Sequence, residues 1–245
     1  MNAICLICRE PNKIWCNFLD QFKNYKIYII VDFNTFDCLD FIHKYQNINF
    51  IQMNNNECYE KGFVNLNFLV MKKPVTGWDK ALYYFAYINT QFENVWFIED
   101  DVFFYNENTI LNIDNKYKKS DLITKKYERY DNTNHWHWKI LIKNIFYDKP
   151  YFCSMVCACR MSKILIHFIK MYAEKYGTLF FLESCFPNTA LKNNLIYDTP
   201  DELNNVTCNP CVKNIYKNSI HHPVKNIILH EKYRIYLDDN DLIYL

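Results

Sequence analysis

The sequence predicts an α/β fold built on a mainly parallel sheet with helices on both faces. Three observations predict it. Short apolar runs alternate with amphipathic segments through the first 105 residues, which is the pattern of repeated strand–helix units. The amphipathic segments carry their apolar residues at helical spacing. The run Val95–Ile98 ends in Glu99-Asp100-Asp101, and ligand crevices of open α/β sheets form at the carboxyl ends of the strands.

Taken in order, Ala3–Cys8 reads as a strand and Lys13–Phe22 as a helix, with Ile14, Phe18, Leu19 and Phe22 at helical spacing. Lys26–Val31 is a second strand, Asp37–Tyr45 a second helix and Ile48–Met53 a third strand. Trp78–Ile88 reads as a helix with Leu82, Phe85 and Ala86 on one side, and Asn94–Ile98 as a fourth strand. Beyond Tyr105 the pattern becomes irregular. Ser120–Thr124 and Tyr151–Cys159 read as strands. Ser162–Tyr176 reads as a helix that turns Ile164, Leu165, Phe168, Ile169 and Tyr172 to the core. The tail from Leu203 to Leu245 reads as loop-rich. There is no internal repeat and no flexible linker. One continuous domain is expected, with residues 1–105 as a ligand-binding half and 106–245 as a second half that takes the other substrate.

Composition narrows the function. The chain has 245 residues, half of them apolar and 18% aromatic, enough for a sizeable core. A net charge of +1 gives no basic excess of the kind that nucleic-acid binders carry. No run of about 18 uncharged apolar residues marks a membrane span. The first nine residues, MNAICLICR, suit a buried strand better than a secretory signal. The 11 cysteines are odd in number and several sit in apolar runs. Together with the missing signal, this predicts reduced thiols and a cytoplasmic location. The CxxC pair Cys5/Cys8 lies in a predicted strand, whose alternation sends the two thiols to opposite faces; Cys208/Cys211 falls at a turn. Neither pair is read as a zinc site. Few glycines and much Asn, Ile, Lys and Tyr match an AT-rich coding bias of the sort found in large DNA viruses and algae.

Several residue groups could carry chemistry. Carboxylates of Glu99, Asp100 and Asp101 at the end of a buried strand suit Mg²⁺ or Mn²⁺, which would bridge a diphosphate; an acidic turn is the competing reading. Gly77-Trp78-Asp79-Lys80 combines a glycine that permits close backbone approach with a lysine suited to a phosphate or a base; a helix start with Asp79 in its first turn is the alternative. In His135-Trp136-His137-Trp138 the aromatic faces could stack on sugar rings and the imidazoles hydrogen-bond an acceptor; a partly buried aromatic loop is equally consistent. Glu183 follows the apolar run Thr178–Leu182, where desolvation raises a carboxyl pKa and suits it to general-base work.

In Cys5-Leu6-Ile7-Cys8-Arg9, Phe18-Leu19-Asp20, Ile29-Ile30-Val31-Asp32 and Trp96-Phe97-Ile98-Glu99-Asp100-Asp101 the chain resembles GT-A glycosyltransferases, most of all inverting enzymes of the N-acetylglucosaminyltransferase I kind. The match covers the first 105 residues or so; the second half follows only in the order of its features. The resemblance implies a GT-A fold and an inverting transfer of a hexosyl or N-acetylhexosaminyl group from a nucleoside diphosphate donor, by preference UDP, to a hydroxyl of a glycan or glycoconjugate. It makes Asp101 the direct ligand of Mn²⁺ or Mg²⁺, with Asp100 and Glu99 at the ribose or behind that ligand. Asp32 would accept from the base or ribose, and Arg9 would sit beside the nucleotide. Glu183 fits the family's catalytic base by order and setting. A late histidine, His222 first and His221 second, would complete the metal shell, and Lys225 would meet the diphosphate; Lys232 and Arg234 are further basic residues nearby. Two other readings stay open. One is a sugar nucleotidyltransferase, disfavoured because only three glycines are present. The other is a non-catalytic nucleotide- or sugar-binding protein of the same fold.

Overall fold

The computed structural model describes residues 1–130, 145–208 and 214–245. Its strands are β1 (Asn2–Cys8), β2 (Lys26–Val31), β3 (Ile48–Ile51), β4 (Asn94–Glu99), β5 (Leu122–Ile123), β6 (Glu128–Arg129), β7 (Phe152–Cys153), β8 (Ala158–Ser162), β9 (Tyr197–Asp198), β10 (Asn214–Tyr216) and β11 (Leu242–Tyr244). Seven of them form one sheet in the order β3-β2-β1-β4-β8-β5-β9. β3, β2, β1 and β4 run parallel. β8 pairs antiparallel with β4 and β5, and β9 parallel with β5. Strands from both halves of the sequence therefore share one sheet, in a mixed α/β domain flanked by helices.

The helices are α1 (Lys13–Leu19), α2 (Leu39–Lys44), α3 (Asn55–Glu60), α4 (Phe68–Met71), α5 (Gly77–Tyr83), α6 (Glu107–Lys116), α7 (Lys163–Tyr176), α8 (Leu182–Lys192) and α9 (Ile227–Asp239). Strand alternation divides β1 between two cores. Ala3, Cys5 and Ile7 face one, with Trp78, Phe97 and Leu165. Ile4, Leu6 and Cys8 face the other, with Trp15, Trp96 and Ile110. The two thiols of the Cys5/Cys8 pair accordingly lie on opposite faces, and nine of the described cysteines are buried and unpaired, with Cys208 exposed.

A buried acid ties the sheet to α6. Asp114 accepts from Trp96 Nε1 at 2.9 Å and Arg160 Nη1 at 2.9 Å on one oxygen. Its other oxygen accepts from Tyr25 Oη at 2.7 Å and Asn2 Nδ2 at 3.2 Å. Arg160 also donates to the carbonyls of Tyr117 and Ser120. A charge pair this deep is stable only because both groups are hydrogen-bonded on several sides.

Several elements differ from the sequence expectation, and α3, α4 and α6 have no counterpart in it. The predicted helix Trp78–Ile88 begins one residue earlier and changes to π geometry over Tyr84–Ile88. The predicted strand Tyr151–Cys159 is broken into β7 and β8, because Ser154 turns aside to donate its N–H to the Glu183 carbonyl and its hydroxyl to the Lys125 carbonyl. α7 has the expected span, but its inner face is Leu165, Ile166, Ile169, Tyr172 and Ala173, while Ile164 is 54% exposed. The Ser162 hydroxyl caps Leu165 N and sets the helix phase. Ala173 then lies against Gly62, where a Cβ would come within 2.5 Å of the Ala173 carbonyl oxygen. The tail is more ordered than its composition suggests: it holds α9 and the antiparallel pair β10–β11.

That tail carries a pH dependence. His221 and His230 are fully buried, and burial pulls each down to about 4. Between their unfolded value near 6.5 and about 4, the unfolded chain binds protons that the native protein does not, so stability falls as pH drops through that window, at roughly 1.4 kcal/mol per pH unit for each group. His230 stacks edge-on against Trp15 and Phe103. Replacing it by Phe (His230→Phe) should make the decline in melting temperature between pH 7 and pH 5 shallower than in the wild type. An unchanged slope would contradict the assignment.

Candidate active site

Because β1, β2 and β4 are parallel, the residues after them gather at one end of the sheet. Arg9 follows β1, Asp32 follows β2, and Glu99 closes β4. Backbone bonds continue the pairing past the strands: Asp32 N donates to Cys8 O and Phe33 N to Arg9 O. Gly77, at the start of α5, packs onto this edge. A Cβ there would stand 2.7 Å from Ile7 Cγ2 and 3.4 Å from Asp32 Cβ, so the close approach expected of this glycine is real. The result is a cleft of about 690 Å³ lined by Arg9, Asp32, Lys73, Trp78, Glu99, Asp100, Asp101, Cys157, Glu183, His222 and Lys225, among others.

Each of the three acidic residues is fastened by a different element. Trp78 Nε1 of α5 donates to Glu99 Oε1 at 2.6 Å. Trp15 Nε1 of α1 donates to the Asp100 carbonyl at 2.8 Å. Val224 N, in the tail, donates to the Asp101 carbonyl at 2.7 Å. Burial pushes Glu99 up, with the Asp101 charge adding to it against the Trp78 hydrogen bond. Burial also pushes Asp100 up to about 6, helped by Asp101 and Glu99. Carboxylates crowded in this way are stabilised as anions by a cation.

The tail delivers a histidine to that cluster. Phe103 and His221 form an antiparallel bridge, and Val206 and His222 a parallel one. His221 points inward, where its Nε2 accepts from Tyr216 N at 3.0 Å. His222 points the other way, into the cleft. Its Nε2 lies 3.3 Å from Asp101 Oδ1 and 3.9 Å from Glu99 Oε2. Its Nδ1 sits 2.7 Å from the Thr207 carbonyl; a carbonyl only accepts, so Nδ1 carries a proton, and the neutral ring that a cation would meet presents its lone pair at Nε2. Burial lowers the His222 pKa, but the hydrogen bond and charge of Asp101, with Glu99, outweigh it and leave the ring raised. One ligand atom each from Glu99, Cys157 and His222 lie within 4.8 Å of one another. These residues fit a divalent cation: carboxylate oxygen and an imidazole of fixed tautomer converge where acids are crowded. Asp101, expected as the direct ligand, stands beside His222; Glu99, expected behind it, is in the converging set.

The remaining expected residues divide. Asp32 reaches the cleft, but Lys80 does not line it. The Lys80 ammonium is buried and donates to Asp32 O at 2.6 Å, Asp32 Oδ1 at 2.8 Å and Asn34 Oδ1 at 2.8 Å. All three of its protons are used, so it holds Asp32 in place. Lys73, which the sequence reading passed over, lies at the rim 3.8 Å from Asp32 Oδ2. Arg9 is exposed, near Glu10 and over the Phe33 ring, and Lys225 is exposed at the mouth. Lys232 and Arg234 are not among the lining residues; Arg234 stacks on Phe18 with its guanidinium carbon 3.4 Å from the ring centroid. Glu183 is half-buried in the first turn of α8 and lines the cleft. His135, Trp136, His137 and Trp138 lie outside the described residues. Asp79 is buried in a capping box, accepting from Thr76 N and Oγ1 and also from Leu66 N.

No family model matches the chain, and neither does any curated protein. Some solved structures share part of its backbone course. A 4-diphosphocytidyl-2C-methyl-D-erythritol synthase from Anaerococcus prevotii is 12% identical, with a TM-score of 0.48 over 96% of each chain. The galactosyltransferase LgtC, in complex with donor and acceptor sugar analogs, is 10% identical, with a TM-score of 0.49 over 80% of this chain and 73% of its own. Mouse xyloside xylosyltransferase 1 in its apo form is 9% identical, with a TM-score of 0.41 over 82% of this chain and 86% of its own. Likeness of this size says nothing of activity; the mixed α/β architecture stands on the strand order itself. Among the described residues no helix is long and apolar enough to cross a membrane.

Proposed function

We propose that the protein is a metal-dependent glycosyltransferase of the GT-A type that moves a sugar from a nucleoside diphosphate, by preference UDP, to a hydroxyl acceptor with inversion. One observation carries the reading: the acidic end of β4 meets the Nε2 of His222 in the cleft that Asp32 and Glu183 also line. In this reading Glu99, Asp101 and His222 hold Mn²⁺ or Mg²⁺, which when bound would neutralise charge on the diphosphate leaving group. Asp32, held by Lys80, accepts from the base or ribose. Lys73, Arg9 and Lys225 at the rim supply positive charge for the phosphates. Residues 1–105 form the donor half and 106–245 the acceptor half, whose C-terminal tail brings His222 and Lys225 to the metal and diphosphate. Glu183 takes the proton of the acceptor hydroxyl as that oxygen attacks the anomeric carbon and the bond to the diphosphate breaks. Donor hydrolysis by the purified protein, with and without Mn²⁺, separates this reading from a binding protein, which would release no sugar.

Metal and donor binding should be coupled. With Mn²⁺ present, UDP at about 100 times its dissociation constant should stabilise the fold by about 2.7 kcal/mol, which is roughly 5–10 °C in melting temperature for a domain of this size. Asp101→Asn should abolish that shift and leave the ligand-free melting temperature near wild type. A full Mn²⁺-dependent shift in the variant would remove Asp101 from the centre.

The base is tested separately. Glu183→Gln keeps the shape of the side chain but not its basic oxygen, and should lower the transfer rate by roughly 100-fold or more with little change in donor affinity. An unchanged rate makes Glu183 a structural charge; a collapse of donor affinity places it in the nucleotide site.

A further inference from the structure

Cys157 lines the cleft beside the acids, and hard-metal chemistry does not explain it. Its place follows from strand register. Ile98 of β4 pairs with Ala158 of β8, and Glu99 N donates to the Cys157 carbonyl at 2.9 Å as the pairing runs on. The thiol is buried, and its sulfur lies within 4.8 Å of a Glu99 carboxylate oxygen. We propose that Cys157 is a metal ligand, and that the cleft holds a three-ligand centre of Cys157 Sγ, His222 Nε2 and a Glu99 carboxylate oxygen that takes Zn²⁺ or Co²⁺ in preference to Mn²⁺ or Mg²⁺. This rests on the reading of the cleft as a divalent-cation site and changes which cation it selects.

Three features carry the proposal. The ligand atoms already converge within 4.8 Å; around a tetrahedral ion with bonds of about 2.0–2.3 Å they would stand roughly 3.3–3.8 Å apart. Each ligand is also held from behind. His222 is fixed through Nδ1 by the Thr207 carbonyl, Glu99 by Trp78 Nε1 on Oε1, and Cys157 by the sheet. Such supports raise affinity and fix tautomer and orientation. Finally, the ligand set is one sulfur, one nitrogen and one oxygen. Thiolate and imidazole favour Zn²⁺ and Co²⁺, whereas Mg²⁺ and Mn²⁺ favour oxygen-rich sets. As the metal–sulfur bond forms, the thiol releases its proton to solvent and no electron is transferred. Three protein ligands leave a fourth position open to a ligand oxygen.

Co²⁺ titration of the metal-free full-length protein tests this without an activity assay. A thiolate-to-cobalt charge-transfer band should appear in the near ultraviolet together with visible d–d bands. Cys157→Ser should remove the charge-transfer band, and His222→Gln should weaken both sets. By competition, Cys157→Ser should lower the ratio of Zn²⁺ to Mn²⁺ affinity by about 10-fold or more, a ratio that corrects for any loss of folded protein. If Co²⁺ binds the wild type with d–d bands but no charge-transfer band, Cys157 is not a ligand, and the glycosyltransferase reading stands. If no divalent cation binds at all, both readings fall.

Discussion

The site depends on the end of β4 being held still. Glu99, Asp100 and Asp101 are consecutive, and a strand end with three carboxylates would fray into solvent if left alone. Here α5, α1 and the tail each pin one of them, through Trp78, Trp15 and Val224. Two of these bonds go to backbone carbonyls, so they fix the chain without neutralising the acids. The charges remain for a cation to answer, because burial first and the neighbouring acid charges second push Glu99 and Asp100 up.

The same constraint explains the paired histidines. Neighbours in an extended segment point to opposite sides. His221 is buried against Tyr216 and Phe103, and His222 faces the acids. One ring anchors the tail and the next serves the cleft. Arg234 stacks over Trp15 and Phe18, so α9 packs on the α1 tryptophan that holds Asp100. Tail and acidic strand end are thus one packed unit. Across the sheet, Lys80 does for Asp32 what Trp78 does for Glu99, and Gly77 lets both approach.

Much of this was legible in the sequence where the signal is local. β2 matches its predicted span to the residue, and β1 and β4 differ by a single residue at their ends, because buried parallel strands read as unbroken apolar runs bounded by polar residues. Placing the acids at a strand end and the glycine at a close approach needed only such local patterns. The rest depends on long-range contacts. Lys80 has the composition of a phosphate ligand, and only the fold brings Asp32 and Asn34 to it. Cys157 looks like any core thiol until antiparallel pairing sets it beside Glu99. The tail looked irregular because α9 has weak amphipathic contrast, burying only His230 and Leu237.

The central claim is that the cleft at the end of β4 binds a nucleoside diphosphate through a divalent cation. Anomalous diffraction from crystals grown with Mn²⁺ and UDP tests it most directly. One manganese peak is expected beside His222 Nε2 and the Glu99 carboxylate, in contact with the diphosphate, with the ribose or base near Asp32. Nucleotide bound elsewhere, or bound in this cleft with no metal peak at His222, would contradict it.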